Sequence, residues 1–548
     1  MAKKAAPPTA PCCAEPPPGE LFLASETDRL RACLVHAPGR ELDRLIPANY
    51  RWQLYDDLLH KERAQAEHRT LRELLGRLGA RVHEFTDLLA RVYEQMSGSD
   101  RRRFLQRVHD VSPGAPLYVL RELEKERDPA VVARALIEGV EATNSFAAEV
   151  EDALYHIQPM ANLMFMSDAA VVLLDRVVQG YMSQLVRMPE EIVVETVIRL
   201  SNVFGPRGTG EFWIDPAFRE RHRMRRTARE YVQLDAARMS IRLGAMDDGH
   251  GAPRELGADR VHVELTSAFT TEGRHFILEG GNVLSLRRED GETVVLVGHN
   301  ARTSADAIDE LAYRLLRDDG RKVRGRVGAV LVVDLPDTGS DALHLDNRLL
   351  VLGEAEIAAD RTLVQAAAGM PARFFVFRRE QVARPKKKRA ATDELQATPK
   401  VELTRAASLE EALALAGLRV KVRWIPEAAP WEAGQPGGPG EGPAWIALQQ
   451  SVWAHALNLL AVAPGVLVGL DRHAEFYRSA LGAECVDASL EVLAGPLAGL
   501  RCCALIAALR ARGAGRPVVL TLRGDELSRA RGGARSLVMP LVREREEG

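Results

Sequence analysis

Four separated stretches of this sequence carry side chains able to hold a cation, move a proton or attack a carbon centre. HLDNRLLVLG (344–353) sets His344 and Asp346 two residues apart. On an extended strand, residues two apart share a face, so the pair is predicted to point one way and Leu343 and Leu345 the other. A histidine beside a carboxylate can hold a cation and transfer a proton. FILEGGNVLSL (276–286) places Glu279 before two glycines, which allow a close backbone approach or a bulge that re-aims the acid. In PMANLMFMSDAAVVLL (159–174) Asp168 ends an apolar run, with Asn162 before it. In RGGARSLVMPLVRE (531–544) a Gly-Gly pair brings the chain to Ser536. That is a way to present a nucleophile, and equally a way to begin a buried C-terminal strand. Plainer roles exist for the others too: a polar strand edge for His344, a hairpin turn for Glu279, a cap for Asp168.

Taken together, these stretches suggest one pocket holding Asp168, Glu279, Asp346 and His344. Carboxylates gathered in a pocket repel one another, and desolvation adds to the cost. The partner that suits them is a planar organic cation. A guanidinium carries its donors in a rigid fork and matches carboxylates bidentately.

The elements that would position these residues read as α/β. RLRACLVH is a strand stopped by Pro38-Gly39, and 61–85 reads as an amphipathic helix, a glycine stop and a strand. Residues 86–150 hold only helical patterns and look like a helical insertion. From about 155 onward short strands and helices alternate, as in AAVVLL, TVVLVG, SADAIDELAYRLL and GAVLVVDL. Two stretches interrupt the pattern: a basic KKKR run within 383–400 and a Pro/Gly-rich stretch at 426–443, together read as a loop insertion over 383–443. The Pro- and Ala-rich residues 1–20 lack the apolar core of a secretory signal and are expected to be disordered.

The chain has 548 residues, 46% of them hydrophobic, which is ample for a large core. Its 73 basic and 76 acidic residues nearly cancel, so the balance asks for neither nucleic acid nor an anionic membrane as partner. No apolar run approaches the ~20 residues that span a bilayer. Six cysteines, in two adjacent pairs and two singletons, form neither a disulfide framework nor a zinc pattern, and a reducing cytoplasmic setting suits them best.

The order of motifs resembles the arginine deiminases of the guanidino-group-modifying (pentein) superfamily. The resemblance runs through SETDRLRACLVHAPGRELDRLIP, YDDLLHKERAQAEH, PMANLMFMSDAA, ILEGGNVL, ARTSADAIDELA, HLDN, NLLAVAPGVLV and ELSRARGGARSLVMPLVRE. It covers nearly the whole chain after residue 20. It implies a five-bladed, pseudo-symmetric α/β propeller with the site at its centre and a helical insertion early in the chain. It implies hydrolysis of L-arginine to citrulline and ammonia, with no metal and no organic cofactor. In that reaction a cysteine attacks the guanidinium carbon and a histidine protonates the leaving ammonia, then activates water. Carried over residue by residue, Asp168, Glu279 and Asp346 take the acidic positions and His344 the acid/base position. Asn162 falls on the asparagine before the aspartate motif. Arg187 and Arg302 fall on the arginines that bind the substrate carboxylate, and Arg531 on the arginine of the final loop.

Three positions depart from the family pattern. Serine, at Ser536, stands where the resemblance implies the nucleophilic cysteine. Ser167 replaces an arginine just before the aspartate, and Pro189 enters a stretch that is normally charged. A serine hydroxyl needs a base to remove its proton. A histidine among three carboxylates is held protonated and cannot be that base. Deimination is therefore expected to be lost or strongly slowed. Three classes of function stay open: a deiminase that still turns over, a silent relative that binds arginine or an analogue, and a scaffold with a relic pocket. Homo-oligomerisation is compatible with each.

Overall fold

The strand expected from RLRACLVH is present as Arg29–Val35 and is buried along its whole length. It is apolar on both faces for a reason. Ala32 and Leu34 enter one hydrophobic core, whereas Leu30, Cys33 and Val35 enter another. Helix Lys61–Arg77 follows and is stopped near Gly79, whose φ of +93° suits glycine. The chain returns as Arg81–Glu84, parallel to the first strand. The last strand, Met539–Glu544, lies antiparallel on the other edge and pairs Leu34 with Met539. In this computed structural model the described residues are 20–112, 116–143, 146, 154–204, 230–235, 240–245, 254–256, 276–316, 325–335, 344–364, 372–379, 401–425 and 455–546.

This arrangement recurs. An antiparallel pair is joined by a third strand running parallel to one of its members. Val283–Arg287 and Thr293–His299 are joined by Val327–Asp334. Leu349–Gly353 and Glu356–Asp360 are joined by Lys421–Ile425. Leu460–Ala463 and Val466–Leu470 are joined by Val518–Leu522. Parallel strands need a crossover, supplied by helix Ala305–Leu316 in the first of these sheets and by Cys502–Gly513 in the last. A further hairpin, Ala170–Leu173 with Arg176–Gln179, leads into helix Met188–Leu200. Helices and strands alternate as an α/β fold requires. Among the described residues no helix is long and apolar enough to cross a membrane.

Some expectations change. The strand read over 344–353 begins only at Leu349. His344 is extended, and Leu345–Asn347 form a single tight turn. Apolar text alone could not show that hydrogen bonds from a neighbouring turn would hold this segment out of the sheet. The stretch 86–150 is not wholly helical. Helices Phe85–Gln95, Gly98–Asp110, Leu117–Lys125 and Pro129–Glu138 are followed by a short strand, Val140–Glu141, paired with Tyr155–Ile157. The loop expected over 383–443 is interrupted by strand Val401–Ala406, helix Leu409–Leu415 and strand Lys421–Ile425. The helix buries Leu409, Ala412 and Leu413, so an apolar face orders what its basic and Pro/Gly-rich flanks disguised. Those flanks, 383–400 and 426–443, and residues 1–19 of the tail lie outside the described residues. Cys33, Cys485 and Cys502 are free thiols, whereas Cys503 is disulfide-bonded, a bond that the spacing of the cysteines did not suggest.

Candidate functional site

Each hairpin is entered through a short polar turn, and these turns meet. The turns lie at 162–168, 279–282, 344–347, 455–458 and 531–536; the first four each precede the first strand of a hairpin, and the fifth precedes the last strand, which pairs with Arg29–Val35. Contacts link them in chain order. A Cβ added to Gly280 would lie 2.0 Å from the Ser167 carbonyl oxygen, an approach that only glycine permits. Asn282 Oδ1 accepts the Leu345 N–H at 2.8 Å. Asn458 Nδ2 donates to Asn347 Oδ1 at 3.1 Å. Asn458 Oδ1 accepts the Ser536 N–H at 3.0 Å. The Ser167 N–H donates to the Ser536 carbonyl at 3.2 Å and closes the ring. The recurring hairpin thus delivers one polar turn per repeat to a common place.

His344 lies within this ring and is 5% exposed. Its Nε2 is 2.8 Å from Glu279 Oε2, and its Nδ1 is 3.6 Å from Asp168 Oδ1. Burial opposes a charge on the ring, but Asp168, Glu279 and Asp346 outweigh it and raise the His344 pKa. Gly281 makes room for the imidazole, since a Cβ there would meet Nδ1 at 2.6 Å. Glu279 also accepts from the Ser183 N–H at 2.9 Å and the Ser183 hydroxyl at 2.8 Å. Burial alone would raise its pKa, yet Arg302, His344 and Arg187 hold the carboxyl well below the usual range.

The carboxylates also have cationic partners within the chain. Arg187 Nη1 donates to Asp168 Oδ2 at 2.8 Å, and its Nε donates to Glu190 Oε2 at 3.0 Å. Arg302 Nη1 lies 3.4 Å from Glu279 Oε1. Arg535 Nη1 donates to Asp346 Oδ2 at 2.8 Å, while its Nη2 reaches Glu26 at 3.0 Å and the Val283 carbonyl at 2.9 Å. Burial raises the Asp346 pKa against the pull of Arg535. It also pushes Glu190 up to about 7 against the pull of Arg187. Spacing along the sequence shows that acids converge, but not which arginines fold onto them.

Ser536 is buried in the same ring, and its hydroxyl donates to Asn458 Oδ1 at 3.1 Å. Asn162 is buried too. Its Nδ2 donates to the Gln53 carbonyl at 2.7 Å, and its own carbonyl accepts from Arg187 at 3.4 Å. Arg531 sits in the final turn with φ +63° and pairs with Asp56 at 3.2 Å. All nine residues singled out from the sequence therefore lie on the turns or pair with side chains near them. Sequence reasoning missed Arg535, Asn458, Glu190 and Ser183. For Asn458 a signal existed: NLLAV puts a polar residue directly before a buried strand, as HLDNRLLVL does. Asp168, Glu279 and His344 offer ligand atoms within 4.8 Å of one another, a spacing that would suit a metal ion. Such an ion would compete with Arg187 and Arg302 for the same oxygens.

The sequence pattern of the family described as arginine deiminase matches residues 52–224, 260–423 and 439–543. An arginine deiminase from Mycobacterium tuberculosis (strain H37Rv) is 25% identical over 541 residues, covering 96% of this chain and 99% of that protein. One from Limosilactobacillus reuteri is 23% identical over 535 residues, covering 96% and 98%. Among solved structures, an amidinotransferase from Microseira wollei overlaps at a TM-score of 0.39 and 9% identity, over 96% of this chain and 98% of that one, a likeness too loose to argue from. With matched segments spanning most of its length, the chain belongs to the arginine deiminase family.

Proposed function

We propose that this protein binds L-arginine or a related guanidino compound, and that its hydrolysis to citrulline and ammonia is impaired or lost. One observation carries the second half. The Ser536 hydroxyl gives its proton to the Asn458 amide oxygen, 3.1 Å away, and not to a base. The resemblance gives Ser536 the place of the nucleophilic cysteine. A thiolate forms near neutral pH, whereas a hydroxyl must be deprotonated as it attacks. Both nitrogens of His344 face carboxylates, which favours the imidazolium. In that form His344 can protonate a leaving ammonia but cannot receive the Ser536 proton.

Binding is an exchange. The ligand guanidinium takes over Asp168 and Glu279 from Arg187 and Arg302, which frees those arginines for other groups of the ligand. No cofactor takes part. A turning-over deiminase remains the alternative, with Ser536 or another group as nucleophile. The internal ion pairs favour a further reading, a non-catalytic scaffold or regulatory subunit, because a site already neutralised can persist without a ligand. Titration calorimetry with L-arginine separates these. Binding by the wild type that is lost in Asp168→Asn supports the proposal, and absence of binding supports the scaffold. The reading extends to a five-bladed propeller, for which the linked turns are the support, to an early helical insertion over 86–150 and to a cytoplasmic setting.

A further inference from the structure

Two adjacent cysteines, Cys502 and Cys503, open the helix Cys502–Gly513, and their sulfurs stand in different chemical states. Cys502 is a free thiol whose Sγ packs 3.1 Å from where a Cβ on Gly79 would stand. Cys503 is disulfide-bonded. Of the six cysteines, Cys33, Cys485 and Cys502 are free, which leaves Cys12 and Cys13 as partners for it within the chain. Both precede the first described residue, Glu20, and both are close enough along the chain to reach it. Phe22 bridges to Val542, and Val542 also pairs with Ala32 of the strand Arg29–Val35. Phe22 thus lies two strand spacings, about 10 Å, from that strand. Cys503 adjoins the same strand, because Arg29 Nη1 donates to its Sγ. Cys13 precedes Phe22 by nine positions, and nine residues extend up to ~30 Å. The surroundings also favour reaction at Cys503. A guanidinium beside the sulfur and the positive end of a helix both stabilise a thiolate, the form that attacks a disulfide. Cys503 is half-buried, so a small molecule can approach it.

We propose that Cys503 is a redox-active thiol that clasps the N-terminal tail, through Cys12 or Cys13, onto the helix Cys502–Gly513. The oxidant is a small disulfide such as oxidised glutathione. The Cys503 thiolate attacks one of its sulfurs, the S–S bond of the small disulfide breaks, and one small thiolate leaves. The thiolate of Cys12 or Cys13 then attacks the Cys503 sulfur and displaces the second. Two protein thiols lose two electrons and two protons, and the small disulfide is reduced to two thiols. In a reducing compartment the exchange runs backwards and opens the clasp. None of this depends on what the central pocket binds. The test uses the full chain, reduced and then incubated with oxidised glutathione. Free thiols are blocked with N-ethylmaleimide in denaturant, and tryptic peptides are read by mass spectrometry without reduction. The peptide CCALIAALR should be joined to the peptide 5–29, which holds Cys12 and Cys13. The link should vanish on adding dithiothreitol. Cys502→Ser should keep the link, whereas Cys503→Ser and the double variant Cys12→Ser/Cys13→Ser should lose it. If Cys503→Ser does not fold, the double variant, which alters only the tail, gives the same reading. A wild-type Cys503 that takes up maleimide or carries only glutathione, a link that survives in Cys503→Ser, or one lost in Cys502→Ser would each overturn the inference.

Discussion

At the scale of single residues, the site is a set of buried charges balanced within the chain. Arg535 shows what that balance is worth. It pairs with Asp346, a residue 1% exposed, and it also ties down Glu26. Breaking a buried pair from one side leaves an uncompensated charge. Arg535→Met should therefore cost about 3–5 kcal/mol in urea unfolding, whereas Arg535→Met with Asp346→Leu should recover part of the loss. A second buried group makes stability depend on pH. His36 lies 3.2 Å from Glu41 and 3.6 Å from Glu84. Burial alone would lower its pKa, but the two carboxylates prevail and lift it from 6.5 to about 9. The folded state therefore binds the proton more tightly than the unfolded state. The stabilisation is fully present below pH 6.5 and is lost as pH rises through about 9. Comparing unfolding of wild type and His36→Gln across this window should show a loss confined to the wild type. Parallel pH profiles would contradict the assignment.

At the scale of elements, the repeated hairpin explains why residues 368 positions apart in the sequence, Asp168 and Ser536, meet in one ring. Gly280 is the tightest joint in that ring. A methyl group there would lie 2.0 Å from the Ser167 carbonyl oxygen, which is backbone and cannot swing aside. Gly280→Ala should cost about 1–3 kcal/mol by thermal unfolding and should weaken arginine binding, because Asp168 and Glu279 flank the joint. Full stability in that variant would mean that the turns are not packed as described. Much of this was legible in the sequence. Apolar runs fixed most of the strands, and an acid or histidine before such a run identified Asp168, Glu279, His344 and Asp346. The partners of those acids were not legible. Arg535 reaches Asp346 across 189 positions, a pairing that tertiary structure alone determines. The strand read at His344 and the loop read over 401–425 failed for a related reason. Local composition is a weak guide where contacts with another repeat decide the conformation.

At the scale of the whole molecule, the chain is fastened by its last strand. Met539–Glu544 pairs with Arg29–Val35, and Met539, Leu541 and Val542 are each at most 2% exposed. Burying three such side chains contributes about 5–9 kcal/mol, comparable with the whole stability of a typical domain. The same segment carries Arg543, fully buried, whose Nη1 donates to the Asp28 carbonyl at 2.7 Å. A chain ending at Val538 keeps every site residue yet should fail to fold, seen as loss of the cooperative thermal transition. A truncated chain that melts like the full one would show that the terminal strand is dispensable.

The central claim is that the pocket is built for a guanidino compound while Ser536 withholds the chemistry. Citrulline formation from L-arginine, measured side by side for the wild type, Ser536→Cys and Asp168→Ala, tests it most directly. The account predicts little or no citrulline from the wild type, measurable turnover from Ser536→Cys and none from Asp168→Ala. Robust turnover by the wild type that disappears in Asp168→Ala would contradict it, since a group in this site would then be supplying the nucleophile that His344 cannot activate.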